Sequence, residues 1–198
     1  RIGKHFLNSG PGFGGSCFQK DISNLIYICN HYGLFEVASY WEQVILINKW
    51  QQNRITRIIV DKLFGTISEK KITVLGFAFK PNTNDTRESP AINICNALLE
   101  EGCYLSIYDP KVSSNQINNA LNENENSESL LISSSVYEAA NGSDALIILT
   151  DWEEFFELDF KKLSRCMRAP SWIFDTRNVI DQDTAKNFGF KVWKVGNG

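Results

Sequence analysis

The hydrophobic pattern of the chain changes its period near residue 65. From Phe18 onward, apolar residues fall at Phe18, Ile22, Leu25, Ile26 and Cys29. That spacing predicts a helix with one buried face, ended by Gly33. A second stripe runs through Val37, Trp41, Val44, Ile45, Asn48, Gln52, Ile55, Ile58, Ile59 and Leu63, with no Pro or Gly between Leu34 and Phe64. It predicts a single helix of about 30 residues, ~45 Å long. A compact domain does not need such a length, so the helix is expected to bridge two domains or to pack on its copy in another subunit. The stretch before Phe18 is polar and rich in Gly, and reads as a loop.

Gly65 stops the long helix, and shorter apolar runs follow. Lys71–Gly76 reads as a buried strand, and Tyr104–Tyr108, Ala145–Leu149 and Ser171–Phe174 as further strands. Ser89 followed by Pro90 is an N-cap signal for a helix that runs to Glu101-Gly102. Strands alternating with helical segments predict a parallel sheet with crossovers, so residues 70–198 are expected to form a doubly wound α/β domain. Residues 113–129, dominated by Ser, Asn and Glu, offer little to bury. They read as a short helical turn and then a solvated, partly disordered surface loop.

The bulk composition narrows the function classes. The chain has 198 residues and a formal charge of −3, enough for one domain with an appendage. No basic run is available to neutralise phosphates, which argues against nucleic acid as a partner. No apolar stretch approaches the roughly 20 residues that cross a bilayer, so no membrane association is expected. Arg1 to Gly10 has no apolar leader segment. Arg1-Ile2-Gly3, without an initiator Met, reads as the interior of a longer chain. Five cysteines, at 17, 29, 95, 103 and 166, contain no C-x-x-C pair, which fits a reducing, cytoplasmic setting. His5 and His31 are the two histidines, too few and too far apart to suggest a metal site.

Candidate chemistry begins at Cys17. Gly12, Gly14 and Gly15 strip side chains from its approach, so backbone can lie against a ligand. Cys17 falls at the predicted start of a helix, where free N–H groups favour anions such as a thiolate. Lys20 adds positive charge, and Asp21 lies one helical turn on, on the same face. A carboxylate there can orient or deprotonate water that attacks a group carried on sulfur. A first-turn acid that merely stabilises the helix explains Asp21 equally well.

The segment after the first strand, Gly76 to Ser89, sits where ligands bind in such sheets and carries Lys80 and Arg87. It lacks G-x-G-x-x-G, so an ordinary dinucleotide cradle is not expected. For that reason Asp109, at the end of the second strand, is read as structural rather than as a ribose-reading acid. Arg177 follows a late strand on the same sheet edge, within reach of a ligand.

Together these motifs resemble the UDP-glucose/GDP-mannose dehydrogenase family, most closely its eukaryotic, UDP-glucose-oxidising type. The matching pieces are RIG at Arg1, GFGGSCFQKD at 12–21, LGFAFK at 75–80, DTRES at 85–89, YDPKV at 108–112 and FDTRN at 174–178. They occur in the family's order across the whole chain, which corresponds to the C-terminal part of the family protein. The resemblance implies a catalytic-cysteine loop and central dimerisation helices over 1–67 and a Rossmann-like UDP-sugar-binding domain over 68–198. It implies two oxidations of UDP-glucose at C6 to UDP-glucuronate, with two NAD, through a thiohemiacetal and a thioester on Cys17, the thioester hydrolysed with help from Asp21. Substrate contacts carry over to Arg1, Phe6, Asn8, Ser9, Gly10, Pro11, Gly12, Phe13, Gly14, Phe79, Lys80 and Arg177, with Arg1 reaching a neighbouring subunit. Cofactor contacts carry over to Cys17, Phe18, Gln19, Lys20 and Arg87. A homo-oligomer built on the central helix is implied as well. Thr176 stands where the family usually has Gly before Arg177, which puts the local turn in doubt. Two alternatives stay open: a related enzyme for GDP-mannose or another UDP-sugar, and a non-catalytic binding or oligomerisation module.

Overall fold

The computed structural model describes residues 3, 7–122 and 128–196. Arg1 and Phe6 lie outside the described residues. Helix α1 (Phe18–His31) and helix α2 (Phe35–Lys62) form a hairpin through Tyr32-Gly33-Leu34. Gly33 takes the turn with φ 75°, a conformation that suits a residue without Cβ. The 28 residues of α2 correspond to a helix ~42 Å long. Its end is closed by the Gly65 N–H donating to the Val60 carbonyl at 2.9 Å.

The sheet follows, with strands β1 (Lys71–Leu75), β2 (Tyr104–Tyr108), β3 (Leu130–Ile132), β4 (Ala145–Ile148), β5 (Trp172–Asp175) and β6 (Lys191–Lys194). Their order is β3-β2-β1-β4-β5-β6, and every neighbouring pair is parallel. The connecting helices are α3 (Pro90–Glu100), α4 (Ser114–Leu121), α5 (Val136–Ala140), α6 (Phe160–Cys166) and α7 (Gln182–Asn187). Helix α3 packs on α2 and α4, while α5 packs on α6. The order reverses between β1 and β4, the switch point at which open α/β sheets bind ligands. The expected doubly wound, Rossmann-like sheet is therefore present.

The sheet interior explains why its strands read as continuous apolar runs. Ile72, Val74, Leu75, Ile107, Ile147, Ile148, Ile173 and Phe174 are all fully buried. Ile55 and Ile59 of α2, its C-cap residue Leu63, and Ile67 belong to that same core. The second half of α2 is thus fastened to the sheet domain, each buried Ile contributing roughly 2–3 kcal/mol of transfer free energy.

Three segments differ from the sequence reading. Residues 113–121 are an integral element: Ser113 and Gln116 form a capping box, and α4 buries Ile117, Asn118 and Leu121. Two apolar residues at i and i+4 suffice to dock a short helix whose other face is Asn. Strands β3 and β6 form the sheet edges and were not anticipated. β3 has three residues, with Leu131 exposed, and β6 is bounded by Lys191 and Lys194. The turn before Arg177 also resolves. Left-handed backbone falls on Asn178 (φ 57°) rather than on Thr176, whose hydroxyl donates to the Ile148 carbonyl at 2.5 Å.

Asp109 has the structural role expected of it. Oδ2 accepts from the N–H of Phe77 (2.7 Å), the N–H of Ala78 (3.0 Å) and Nε1 of Trp152 (3.1 Å). Oδ1 accepts from the N–H groups of Lys111 and Val112, both at 2.9 Å. Removing the carboxylate strands buried donors, so Asp109→Ala is expected to lower unfolding free energy by at least about 3 kcal/mol. Urea unfolding measures this, and a loss below about 1 kcal/mol would contradict the assignment.

Candidate functional site

The C-terminal ends of β1, β4 and β5 converge with the segment that precedes α1. Gly76 leaves β1 with φ 87°, and a Cβ there would collide with the Thr150 side chain. The Thr150 hydroxyl donates to the Ala78 carbonyl at 2.6 Å, and the Ser89 hydroxyl donates to the Phe77 carbonyl at 2.8 Å. These bonds set the path of 77–79. Phe79 is half-buried, and the ammonium of exposed Lys80 lies 5.3 Å from its ring centroid.

Arg177 enters from the end of β5. Its backbone N–H donates to Asp175 Oδ1 at 3.0 Å. Nε donates to the Leu149 carbonyl at 2.8 Å and Nη2 to the Phe79 carbonyl at 3.4 Å. Asp151 stands 3.9 Å from Nε, at the outer limit of an ion pair. The side chain is 19% exposed. Burial pushes the guanidinium's pKa below its ordinary value, and Asp151 partly offsets that shift. A half-buried cation held mainly by carbonyls retains much of its attraction for an incoming anion.

The polar segment 8–15 lies over this edge. Ser9 Oγ accepts from Asn178 Nδ2 at 3.0 Å. Gly10 rests on Arg177, with 3.3 Å between a hypothetical Cβ and Nη1. Gly14 rests on the Glu88 carbonyl, and a Cβ on Gly15 would sit 2.8 Å from the Phe79 ring. The Gly15 N–H donates to the Arg87 carbonyl at 2.9 Å. The glycines are therefore required by close approach to Asn48, Glu88 and Phe79 of the chain itself, whereas the sequence reading assigned that approach to a ligand. Pro11 is buried, whereas Asn8 is exposed. From α2, Asn48 and Gln51 bond the backbone of Phe13 and Gly10. Sequence reasoning placed Asn48 and Gln52 in the buried stripe without giving them a task. The available signal was two amides in an otherwise apolar helix face.

Cys17 is the N-cap residue of α1 and is exposed, its Sγ 3.8 Å from Ser16 Oγ. Phe18 meets Phe13 edge to face, with ring centroids 4.7 Å apart. The Asp21 N–H donates to the Cys17 carbonyl at 2.8 Å, which puts the acid one turn along the same helix. Gln19 and Lys20 complete that turn. Arg87 forks onto Asp85, with Nε to Oδ1 at 3.0 Å and Nη2 to Oδ2 at 2.7 Å. That fork, chiefly its side-chain hydrogen bonding, holds the Asp85 carboxyl below the ordinary Asp range. The pairing therefore persists above the ordinary Asp pKa and is lost as pH falls through the depressed value. Arg87 also feels the Cys17 sulfur electrostatically, after the larger effects of Asp85 and solvation. The structure thus gathers Gly10–Gly15, Cys17, Phe79, Arg87 and Arg177 at one sheet edge, with Lys80 beside Phe79 and Asp21 one turn after Cys17 on α1.

The UDP binding domain model of the UDP-glucose/GDP-mannose dehydrogenase family matches residues 73–182, and that family's central domain model matches residues 1–50. The chain belongs to the UDP-glucose/GDP-mannose dehydrogenase family. UDP-glucose 6-dehydrogenase of Drosophila melanogaster is 49% identical over 203 positions, covering 99% of this chain and 43% of that protein. UDP-glucose 6-dehydrogenase 2 of Oryza sativa subsp. japonica is 45% identical, covering 99% of this chain and 44% of that protein. The chain thus spans less than half the length of these curated relatives. Among solved structures, a UDP-glucose dehydrogenase from the hyperthermophilic archaeon Pyrobaculum islandicum matches with a TM-score of 0.77 and 28% identity, covering 98% of this chain and 40% of that one.

The close packing of this family member's loop makes one local expectation. Gly15→Ala adds a methyl group against Phe79 at φ 88°. It should destabilise the loop by about 1–3 kcal/mol and speed amide exchange over 10–16 while leaving the sheet unchanged. Hydrogen exchange by mass spectrometry reads this, and unchanged protection of the loop would count against the described packing.

Proposed function

We propose that this chain is the substrate-binding, cysteine-bearing part of an NAD-dependent UDP-glucose 6-dehydrogenase. Residues 1–67 would carry the cysteine loop and the central helices, and residues 68–198 the UDP-sugar domain. The observation that carries the reading is the seating of Gly10 on half-buried Arg177 and of Gly15 on Phe79, with exposed Cys17 two residues further on. Arg177 and Lys80 suit the two phosphates of UDP, and the Gly-rich loop suits close contact with the nucleotide and sugar. Asn8 to Gly14 and Phe79 would line that site. Arg1 and Phe6 remain part of the proposed contact set.

The residues present fit one edge of a dinucleotide site. The amides of Phe77 and Ala78 already serve Asp109, so the sheet's own switch point is not a phosphate cradle. Arg87 has a 69% exposed side chain, and together with Phe18, Gln19, Lys20 and Cys17 it would border NAD from the α1 side. NAD would supply the hydride acceptor, one molecule for each of the two hydrides that leave C6. Cys17 Sγ would add to the C6 aldehyde carbon as the C=O π bond opens and the thiol proton passes to oxygen, giving a thiohemiacetal. After the second oxidation the carbon stays on sulfur as a thioester, so no aldehyde escapes. Asp21 would take a proton from the water that attacks the thioester. The C–S bond then breaks, returning the sulfur and releasing UDP-glucuronate.

A reducing compartment such as the cytoplasm suits five free cysteines. Among the described residues, no helix is long and apolar enough to cross a membrane. Self-assembly through α2 is part of the same reading. Tyr40, Ile47 and Trp50 share one side of α2 at exposures of 68%, 63% and 54%. Apolar surface of that kind, repeated at helical spacing, calls for a partner.

Three outcomes are expected for the full-length protein that contains this chain. Cys17→Ser should lower UDP-glucuronate formation by roughly 10⁴-fold or more, and Asp21→Asn should slow thioester hydrolysis by about 10²–10⁴-fold. Chromatographic quantitation of UDP-glucuronate checks both, and undiminished output from Cys17→Ser sinks the mechanism. Ile47→Lys combined with Tyr40→Lys should reduce the oligomer to smaller species in light scattering. An unchanged mass would remove α2 from the interface.

A further inference from the structure

We propose that Asn48 of α2 is a positioning residue that sets the sugar-nucleotide loop and, through it, Cys17. This deepens the functional reading above and rests on it for what the loop binds. Asn48 is 7% exposed and lies in the middle of a long helix, where Asn is a poor helix former. A buried amide is costly unless both of its ends are bonded. Here both ends serve one distant residue. Oδ1 accepts from the Phe13 N–H at 2.9 Å, and Nδ2 donates to the Phe13 carbonyl at 3.0 Å. Gripping both backbone groups of one residue fixes its orientation as well as its place.

The neighbouring residues are built around that grip. Gly12 has φ 127°, and a Cβ there would lie 2.5 Å from Asn48 Oδ1 and 3.3 Å from Gln52 Nε2. Gln52 is held in turn, its Oε1 accepting from Asn93 Nδ2 of α3 at 2.7 Å. One turn from Asn48, Gln51 Nε2 donates to the Gly10 carbonyl at 3.1 Å. Helix α2 therefore grips the loop at Gly10 and Phe13, and Gly15 is tied to Arg87 on the far side. Cys17 comes two residues after that second tie, so its place follows from the grip.

The test uses the full-length protein with Asn48→Ala and, at a half-buried site less able to disturb folding, Gln51→Ala. Loss of the paired bonds in Asn48→Ala should speed amide exchange over 10–16 by about 10-fold or more while exchange within α2 stays unchanged. The KM for UDP-glucose should rise by a similar factor, with a smaller change in kcat. Gln51→Ala should show the same pattern at lower amplitude. Asn48→Asp keeps the acceptor for the Phe13 N–H but presents a carboxylate to the Phe13 carbonyl. Its KM defect should shrink as pH is lowered and the introduced carboxyl regains a proton to donate. Unchanged loop exchange in both neutral variants, or equal acceleration in α2, would overturn the proposal. So would a defect in Asn48→Asp that ignores pH. Absence of UDP-glucose oxidation in the unmutated protein would instead overturn the functional reading, and loop exchange would still decide the role of Asn48.

Discussion

The five hydrogen bonds received by the Asp109 carboxylate organise the functional edge of the molecule. They join the turn after β1, the turn after β2 and Trp152 beyond β4. With 77–78 pinned there, the Ser89 hydroxyl can bond Phe77 and start α3, and the Phe79 N–H can meet the Asp85 carbonyl. The 85–88 segment is thereby placed to receive Gly15 through the Arg87 carbonyl and Gly14 through the Glu88 carbonyl. The position of Cys17 is thus referred back, bond by bond, to one buried carboxylate.

That same carboxylate explains how a Rossmann-like sheet can stand here without a dinucleotide cradle. The amides after β1 would ordinarily face a pyrophosphate. In this chain an internal anion occupies them, and the first turn is filled by Phe77, Ala78 and Thr150 rather than left open. The partly buried cation of this edge stands instead at the end of β5. There Arg177 is anchored by carbonyls, with its nearest carboxylate 3.9 Å away. In the proposed function the fold is retained while the place for phosphate shifts along the edge.

Much of this was legible in the sequence, for physical reasons that also mark the limits. The change from helical to strand periodicity near Gly65 located α2 and the sheet, because both bury continuous apolar surface. The GFGGSC run located the loop, because glycines crowd where backbone must approach other atoms closely. The extent and docking of α4, beyond the short helical turn expected there, were hidden by its composition. Its Asn-rich exposed face outweighs Ile117 and Leu121 in any compositional reading, although two buried residues are enough to dock it. β3 and β6 were hidden because an edge strand buries less and carries exposed or charged positions, which removes the signal that betrays a central strand. The partners of single polar groups, such as Asn178 for Ser9 or Asn93 for Gln52, are set by tertiary placement and leave no local trace.

Helix α2 is where these levels meet. Its second half is sealed into the sheet core by Ile55, Ile59 and Leu63, which fixes the helix relative to Arg177. In its middle, Asn48, Gln51 and Gln52 face the loop while Ile47 and Trp50 face outward. Successive residues on a helix are about 100° apart, so adjacent positions necessarily serve different surroundings. A partner packed against Ile47 and Trp50 would restrict the same turn of backbone that carries Asn48. The proposed assembly surface and the proposed substrate loop are therefore separated by one helix radius rather than by a domain. Any shift of that turn on association would reach Phe13 directly through the paired amide bonds.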